Sequence, residues 1–152
     1  MPDGSPFEPN PSYVGLRTDL LGILPPSPRR VLDVGCATGA MGRYLADTYG
    51  AEVWGIEYDG AMAELARASL RAVFHADLNR VSVASLPHEA RYDLIVCGDV
   101  LEHLVDPWTA LRELAALLAP GGRFAVSLPN VGHYTTLVDL ALRRSWPLRD
   151  RG

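Results

Sequence analysis

Asp33 and Glu57 are the acids whose sequence surroundings most invite chemistry. Asp33 lies in an apolar run, Val31-Leu32-Asp33-Val34, and Gly35-Cys36-Ala37-Thr38-Gly39 follows at once. Gly35 and Gly39 let the main chain turn sharply and lie against a ligand with no Cβ in the way. A helix opening after them aims free amides at the crevice, where its dipole favours an anionic group. A carboxylate at Asp33 does the opposite: it attracts a cation and repels phosphate. The dinucleotide pattern G-x-G-x-x-G is also unmet, because Ala37 and Ala40 stand at its second and third glycine positions. A zwitterion, ammonium toward the acid and carboxylate toward the amides, fits such a loop better than a diphosphate. Glu57 ends Val53-Trp54-Gly55-Ile56-Glu57, eighteen positions after Gly39. That is close to the ~20 expected of an acid that accepts from both hydroxyls of a ribose.

A second constellation is Asp99, Glu102 and His103. Offsets of three and four within one helical turn predict that all three reach the rim of the same crevice. Three readings stand side by side. Glu102 and His103 hydrogen-bond to loops and cap a helix; or His103 is a general base, its ordinary pKa near 6.5 suiting work near neutral pH; or two carboxylates and an imidazole hold a divalent metal. His75 reads as a packed strand histidine. Cys36 and Cys97 read as reduced bystanders that approach each other if their strands are neighbours.

The elements needed to position these residues follow from the pattern. Four prolines among residues 1–11 predict a flexible N-terminal arm, with a single domain over residues 12–152. Leu16, Leu20, Ile23 and Leu24 predict a helix from Ser12 to Leu24, stopped by Pro25, Pro26 and Pro28. Strands are expected at Val31–Val34, Ala51–Glu57, Ala72–Ala76, Tyr92–Cys97 and Arg123–Leu128. Between them fall helices to Tyr49 (capped by Gly50), at Ala61–Leu70 behind Asp59, and after Asp106-Pro107. The last of these is expected to bury Trp108, Leu111, Ala115 and Leu118, and a further helix to cover Tyr134–Arg144. Apolar strands alternating with helices imply a doubly wound α/β fold, a mainly parallel sheet with helices on both faces. Its ligands belong at the carboxyl ends of the strands.

Composition narrows the function. The chain has 152 residues, 48% hydrophobic and 21% charged, with a formal charge of −4. No apolar run approaches the ~18 residues of a membrane span, and two cysteines make no disulfide framework, which points to the cytoplasm. The acidic balance argues against nucleic acid held by its phosphates. All 14 basic residues are arginine; without lysine there is no Walker A loop and no Schiff-base chemistry.

Asp33-Val34-Gly35-Cys36-Ala37-Thr38-Gly39 resembles the first motif of the class I, Rossmann-like methyltransferases that use S-adenosylmethionine, D-x-G-x-G-x-G, with Ala37 as the departure. The resemblance covers about Tyr13 to Arg144. It implies S-adenosyl-L-methionine as cofactor and S-adenosyl-L-homocysteine as product. Asp33, Gly35, Cys36, Ala37 and Gly39 would hold the methionine end and Glu57 the ribose. Tyr58 would lie along the adenine, Asp77 would accept from its amino group, and the Leu78 amide would donate to its ring. Cys97, Gly98, Asp99 and Val100 resemble the family's strand-four segment, whose carbonyls pass beneath the methionine part. Acid-x-x-Glu-His clusters like Asp99, Glu102 and His103 bind a metal in small-RNA 3′-terminal methyltransferases, with a further histidine for which His133 is the candidate.

The resemblance implies methyl transfer to an oxygen, nitrogen or carbon of a small molecule, with Asn130, His133 and Tyr134 as candidate acceptor-orienting groups and His103 with Glu102 at the reaction site. The family sheet carries two more strands, so the chain is expected to be a shortened domain, or to repair its fifth-strand edge by forming a homodimer. Rival readings are a cofactor-binding or interaction domain without catalysis, an NAD-dependent oxidoreductase, and a metal-dependent RNA 2′-O-methyltransferase.

Overall fold

A computed structural model describes residues 15–88 and 91–130. The expected arm, the start of the first helix at residues 12–14, the helix at Tyr134–Arg144, and His133 lie outside the described residues. Five strands form one parallel sheet: β1 (Arg30–Val34), β2 (Glu52–Glu57), β3 (Ala72–His75), β4 (Tyr92–Gly98) and β5 (Leu118–Ser127), in the order β3-β2-β1-β4-β5. The chain reverses direction across the sheet between β1 and β4, which places the crevice above their carboxyl ends.

Alternation along the strands sends side chains to two cores. Val31, Val53, Val73, Leu94 and Val96 join one cluster with Leu45 of α2 (Ala40–Tyr49) and Ala63 and Ala66 of α3 (Gly60–Ala66). Leu32, Trp54, Ile56, Ile95 and Cys97 join the other with Leu114 of α4 (Pro107–Ala116). The sheet is thus covered on both faces, and its strands read as nearly continuous apolar runs for that reason. Cys36 sits in the first cluster and Cys97 in the second, and both are free, buried thiols.

Local chemistry fixes the helix ends. Gly50, at φ 65°, closes α2 and donates to the Ala46 and Leu45 carbonyls. Asp59 Oδ1 accepts from the Ala61 and Met62 amides at 2.9 Å to start α3. Asp106 accepts from the Thr109 amide at 3.0 Å, with Pro107 in the first turn of α4.

Four expectations are corrected. The first helix is a single turn, α1 (Thr18–Leu21), whose buried residue is Leu20. α3 stops at Ala66, and residues 67–70 continue as turns. β5 begins at Leu118: the Pro120-Gly121-Gly122 turn forms an irregularity inside the ladder, Tyr92 facing Leu118 and Leu94 facing Arg123. α4 is one residue out of phase with its expected face. It buries Ala110 and Leu114 and half-buries Leu111, while Trp108 is 70% exposed and Ala115 is also exposed. Packing against the sheet sets that phase: Leu114, with Leu111 and Leu117, joins the second core cluster, an apolar stripe at 110, 111, 114 and 117. Among the described residues, no helix is long and apolar enough to cross a membrane.

Candidate active site

A cleft of about 1190 Å³ opens at the carboxyl ends of the central strands, with Asp33 on its floor and Glu57, Asp77 and His103 along its rim. One end of it is made from main chain. Gly35 (φ 72°) and Cys36 donate their amides to the Ile56 carbonyl at 2.8 and 3.1 Å, pinning the turn to β2. A Cβ on Gly35 would come within 2.4 Å of Val100 Cγ2, so only glycine fits. Ala37 adopts φ 46°, a left-handed conformation that disfavours any residue with a Cβ, and its amide donates to Glu57 Oε2 at 2.8 Å. Gly39 (φ 84°) leads into α2 and lies beneath the turn, where a Cβ would meet Ala66 Cα at 3.2 Å.

The floor is electrostatically unusual. Asp33 is buried, and its Oδ2 has no hydrogen-bond partner. Burial, and secondarily the Glu57 charge, push its carboxyl up to about 7. Glu57 is buried as well, but its second oxygen is engaged, accepting from the Asp59 amide at 2.8 Å. Each Glu57 oxygen keeps a lone pair for a further donor. Burial also raises both thiols, Cys97 up to about 12 with Asp33 adding to the effect, so neither is a thiolate nucleophile at neutral pH. Cys36 lines the cleft, whereas Cys97 and Gly39 do not.

Tyr58 is 71% exposed beside the cleft, and its carbonyl meets His75 Nε2 at 3.0 Å. The carbonyl can only accept, so Nε2 carries the hydrogen. His75 ends β3 as an exposed ring that steadies the β2–α3 turn, where a packed strand histidine is expected. Asp77 and Leu78 line the same wall, Asp77 accepting from the Asn79 amide at 2.9 Å and pairing with Arg80 at 3.3 Å.

The other end is built from side chains. Asp99 (φ 54°) turns one oxygen to Arg17 Nη1 at 2.6 Å and the other to the Ser127 hydroxyl at 2.7 Å. Arg17 also grips Asp19 through Nε and Nη2, at 3.0 and 2.8 Å. The guanidinium passes above Gly98, where a Cβ would lie 3.4 Å from Nη1. Glu102 and His103 sit exposed on a single 3₁₀ turn, Leu101–His103, not on an α-helix, and both line the cleft with Gly98 and Val100. Asp99, Glu102 and His103 all line the cleft, as their spacing predicts, with the Asp99 carboxylate engaged by Arg17 and Ser127. Among the described residues, no group of three or more His, Cys, Asp or Glu side chains is placed to hold a metal ion. Asn130 is exposed and Tyr134 lies outside the described residues. Arg17, Asn79 and Ser127 are the site residues that sequence reading misses. Arg17 and Asp99 are 82 positions apart, and no local spacing signals such a pair.

A parallel sheet in this order, with an acid-and-glycine turn at its switch point, defines a Rossmann-like domain built for a nucleoside-type ligand. The chain belongs to the methyltransferase-domain family, whose profile spans residues 12–151. It is 36% identical over 121 residues to a ubiquinone biosynthesis O-methyltransferase of Xanthomonas euvesicatoria pv. vesicatoria, covering 78% of this chain and 48% of that protein. An S-adenosylmethionine-dependent methyltransferase from Mesorhizobium loti shares the fold at a TM-score of 0.62 and 28% identity, over 72% of this chain and 51% of the other. The S-adenosylmethionine-bound amino pentose methyltransferase of calicheamicin biosynthesis from Micromonospora echinaspora matches at 0.59 and 27%, over 74% and 48%. The chain spans about half the length of the curated relatives it matches.

Proposed function

We propose that this cleft holds S-adenosylmethionine and that the protein transfers its methyl group to a nucleophile on a small molecule. The observation that carries the reading is Asp33 Oδ2, a buried acceptor without a partner on the floor of the cleft, next to a turn that only glycine can make. A cationic group supplies what that oxygen lacks, and the free amides at the start of α2 suit a carboxylate. Family membership and the names of the relatives support the same chemistry, with an oxygen as the first nucleophile to test. A cytoplasmic setting is supported by two buried, unpaired thiols.

S-adenosylmethionine supplies a methyl on a sulfonium, electrophilic without further activation. The residues of this chain then have mainly to bind and align. Asp33 and the Gly35–Gly39 turn would take the methionine end, and Glu57 the ribose through its remaining lone pairs. Tyr58, Asp77 and Leu78 would take the adenine. His103, exposed at the rim, would accept the proton of the nucleophile, with Glu102 beside it. Calorimetry with S-adenosylhomocysteine and with NAD tests the reading: the first binds, the second does not, and the reverse ends the proposal. With an acceptor in hand, His103→Gln lowers kcat about 100-fold, the low end for general base catalysis, and leaves S-adenosylhomocysteine affinity unchanged. An unaltered kcat removes His103 from the chemistry.

A further inference from the structure

The two walls of the cleft meet at Asn79. Its Oδ1 accepts from the Val105 amide at 2.7 Å, and its Nδ2 donates to the His103 carbonyl at 3.2 Å. Those two groups flank Leu104, so one side-chain amide pairs with the main chain on both sides of a residue, as a neighbouring strand would. The orientation of the amide is fixed by its partners, since an N–H needs an oxygen and a carbonyl needs an N–H. The backbone of Asn79 is tied to the opposite wall, because its own amide donates to Asp77 Oδ1 at 2.9 Å. Leu78, Asn79, His103 and Leu104 all line the cleft. Between β3 and α4, then, a single residue touches both the acid proposed for the adenine and the segment carrying the proposed base.

Among the described residues, neighbouring polar links take other routes; Ser82 and Ala84 bond Glu113 of α4 without reaching Asp77 or His103. Arg17, Asp99 and Ser127 join the N-terminal turn to β4 and β5 and leave the Asp77 wall alone. His75 acts within the β2–α3 turn. The main-chain bonds of the 3₁₀ turn itself, His103 to Val100 and Leu104 to Leu101, reach no further than that turn.

We infer that Asn79 is a positioning residue that couples the two walls: a ligand seated against Asp77 orders the His103–Val105 segment through the Asn79 amide, so that cofactor binding sets the acceptor side. The inference rests on the S-adenosylmethionine reading of the cleft. Aspartate at 79 keeps the shape and the acceptor for Val105 but sets an oxygen against the His103 carbonyl. Alanine removes both bonds. Neither change touches the backbone link to Asp77.

Amide hydrogen exchange on the full chain, with and without saturating S-adenosylhomocysteine, separates the outcomes. In the unmodified protein the ligand slows exchange at Val105. In Asn79→Ala that ligand-dependent slowing is lost while binding persists, weakened by about three- to tenfold, the size of one or two net hydrogen bonds. Asn79→Asp gives a partial loss, and carries the test if the alanine variant does not fold. A purely structural role would speed exchange equally with and without ligand, and that result overturns the inference. So does slowing that persists in both variants, or slowing absent from the unmodified protein despite binding. Failure of the unmodified protein to bind S-adenosylhomocysteine at all overturns the cofactor reading and the coupling with it.

Discussion

The β1–β2 end of the cleft and its β4–β5 end are built by different means. At the first, two buried carboxylates and a turn of glycines do the work, and nearly every contact runs through main chain within a few residues of a strand terminus. At the second, an arginine from the N-terminal turn, an aspartate after β4 and a serine at the end of β5 meet in half-exposed space. A group held by backbone in a buried site has a fixed position and a perturbed charge. A group held by long side chains in solvent is screened and replaceable, and such pairs are typically worth only ~0–1 kcal/mol. Under the proposed function, the first end would take the constant part of the cofactor. The second, where Gly98, Asp99 and Val100 are expected near the methionine, would also face the acceptor.

Replacing Asp33 strikes this contrast hardest. Its carboxyl binds protons more tightly in the native chain than when unfolded, so its contribution to stability falls as pH rises from about 4 to about 7 and is level above that. A displacement of that size corresponds to about 4 kcal/mol, an upper figure since the cleft admits water. Asp33→Asn should raise the stability of the ligand-free protein at pH 8, with the difference narrowing toward pH 4. S-adenosylhomocysteine affinity should fall about 10- to 100-fold, the cost of losing a hydrogen bond to a charged group. Denaturant titrations at both pH values, with calorimetry at pH 8, check the two halves. A variant less stable than the parent at pH 8 would mean that Asp33 already has a hidden partner, and the two ends would no longer differ in kind.

Gly35 tests the backbone half of the same end. Alanine there must hold φ near 72° and push its methyl into Val100 Cγ2, on a β-branched side chain with little freedom to move. Strain and overpacking together predict a loss of about 2 to 4 kcal/mol in urea unfolding. A loss below about 1 kcal/mol would show that the turn tolerates a Cβ and that its glycine is not a geometric requirement.

How much of this was legible in the sequence follows the same division. Asp33, Gly35 and Glu57 could be placed from an apolar run, a turn and a spacing, because each acts close to its own strand. The parallel α/β class and the two-sided core follow from apolar strands alternating with helices. The phase of α4 is not legible: Trp108 and Ala115 fit an apolar stripe as well as Ala110 and Leu114 do, and only packing against the sheet decides between them. Arg17 and Asn79 were invisible, since their partners lie 82 and 24 to 26 positions away and nothing local marks a hydrogen bond of that range. His75 reads as a packed strand histidine although it is exposed, because a histidine beside apolar strand residues looks the same whether it packs inward or reaches for a carbonyl.

Ala37 gives the smallest effect and the sharpest view of what the glycine turn needs. The resemblance marks it as the departure from the family motif, and the structure shows its consequence: a methyl-bearing residue held at φ 46°. Its amide must still reach Glu57 Oε2, so the conformation cannot relax without loosening the acid proposed for the ribose. Glycine would remove about 1 to 2 kcal/mol of strain at that φ, while the added freedom of the unfolded chain takes back about 0.4 to 1 kcal/mol, so the two terms offset only in part. Ala37→Gly should therefore raise stability by about 0.5 to 1 kcal/mol, read as a shift in the denaturant midpoint with an unchanged slope. S-adenosylhomocysteine affinity should stay within about threefold, since no hydrogen bond is lost. A fall in stability would instead make the alanine methyl a packing group, and the cofactor end, like the acceptor end, would then be held partly by a side chain.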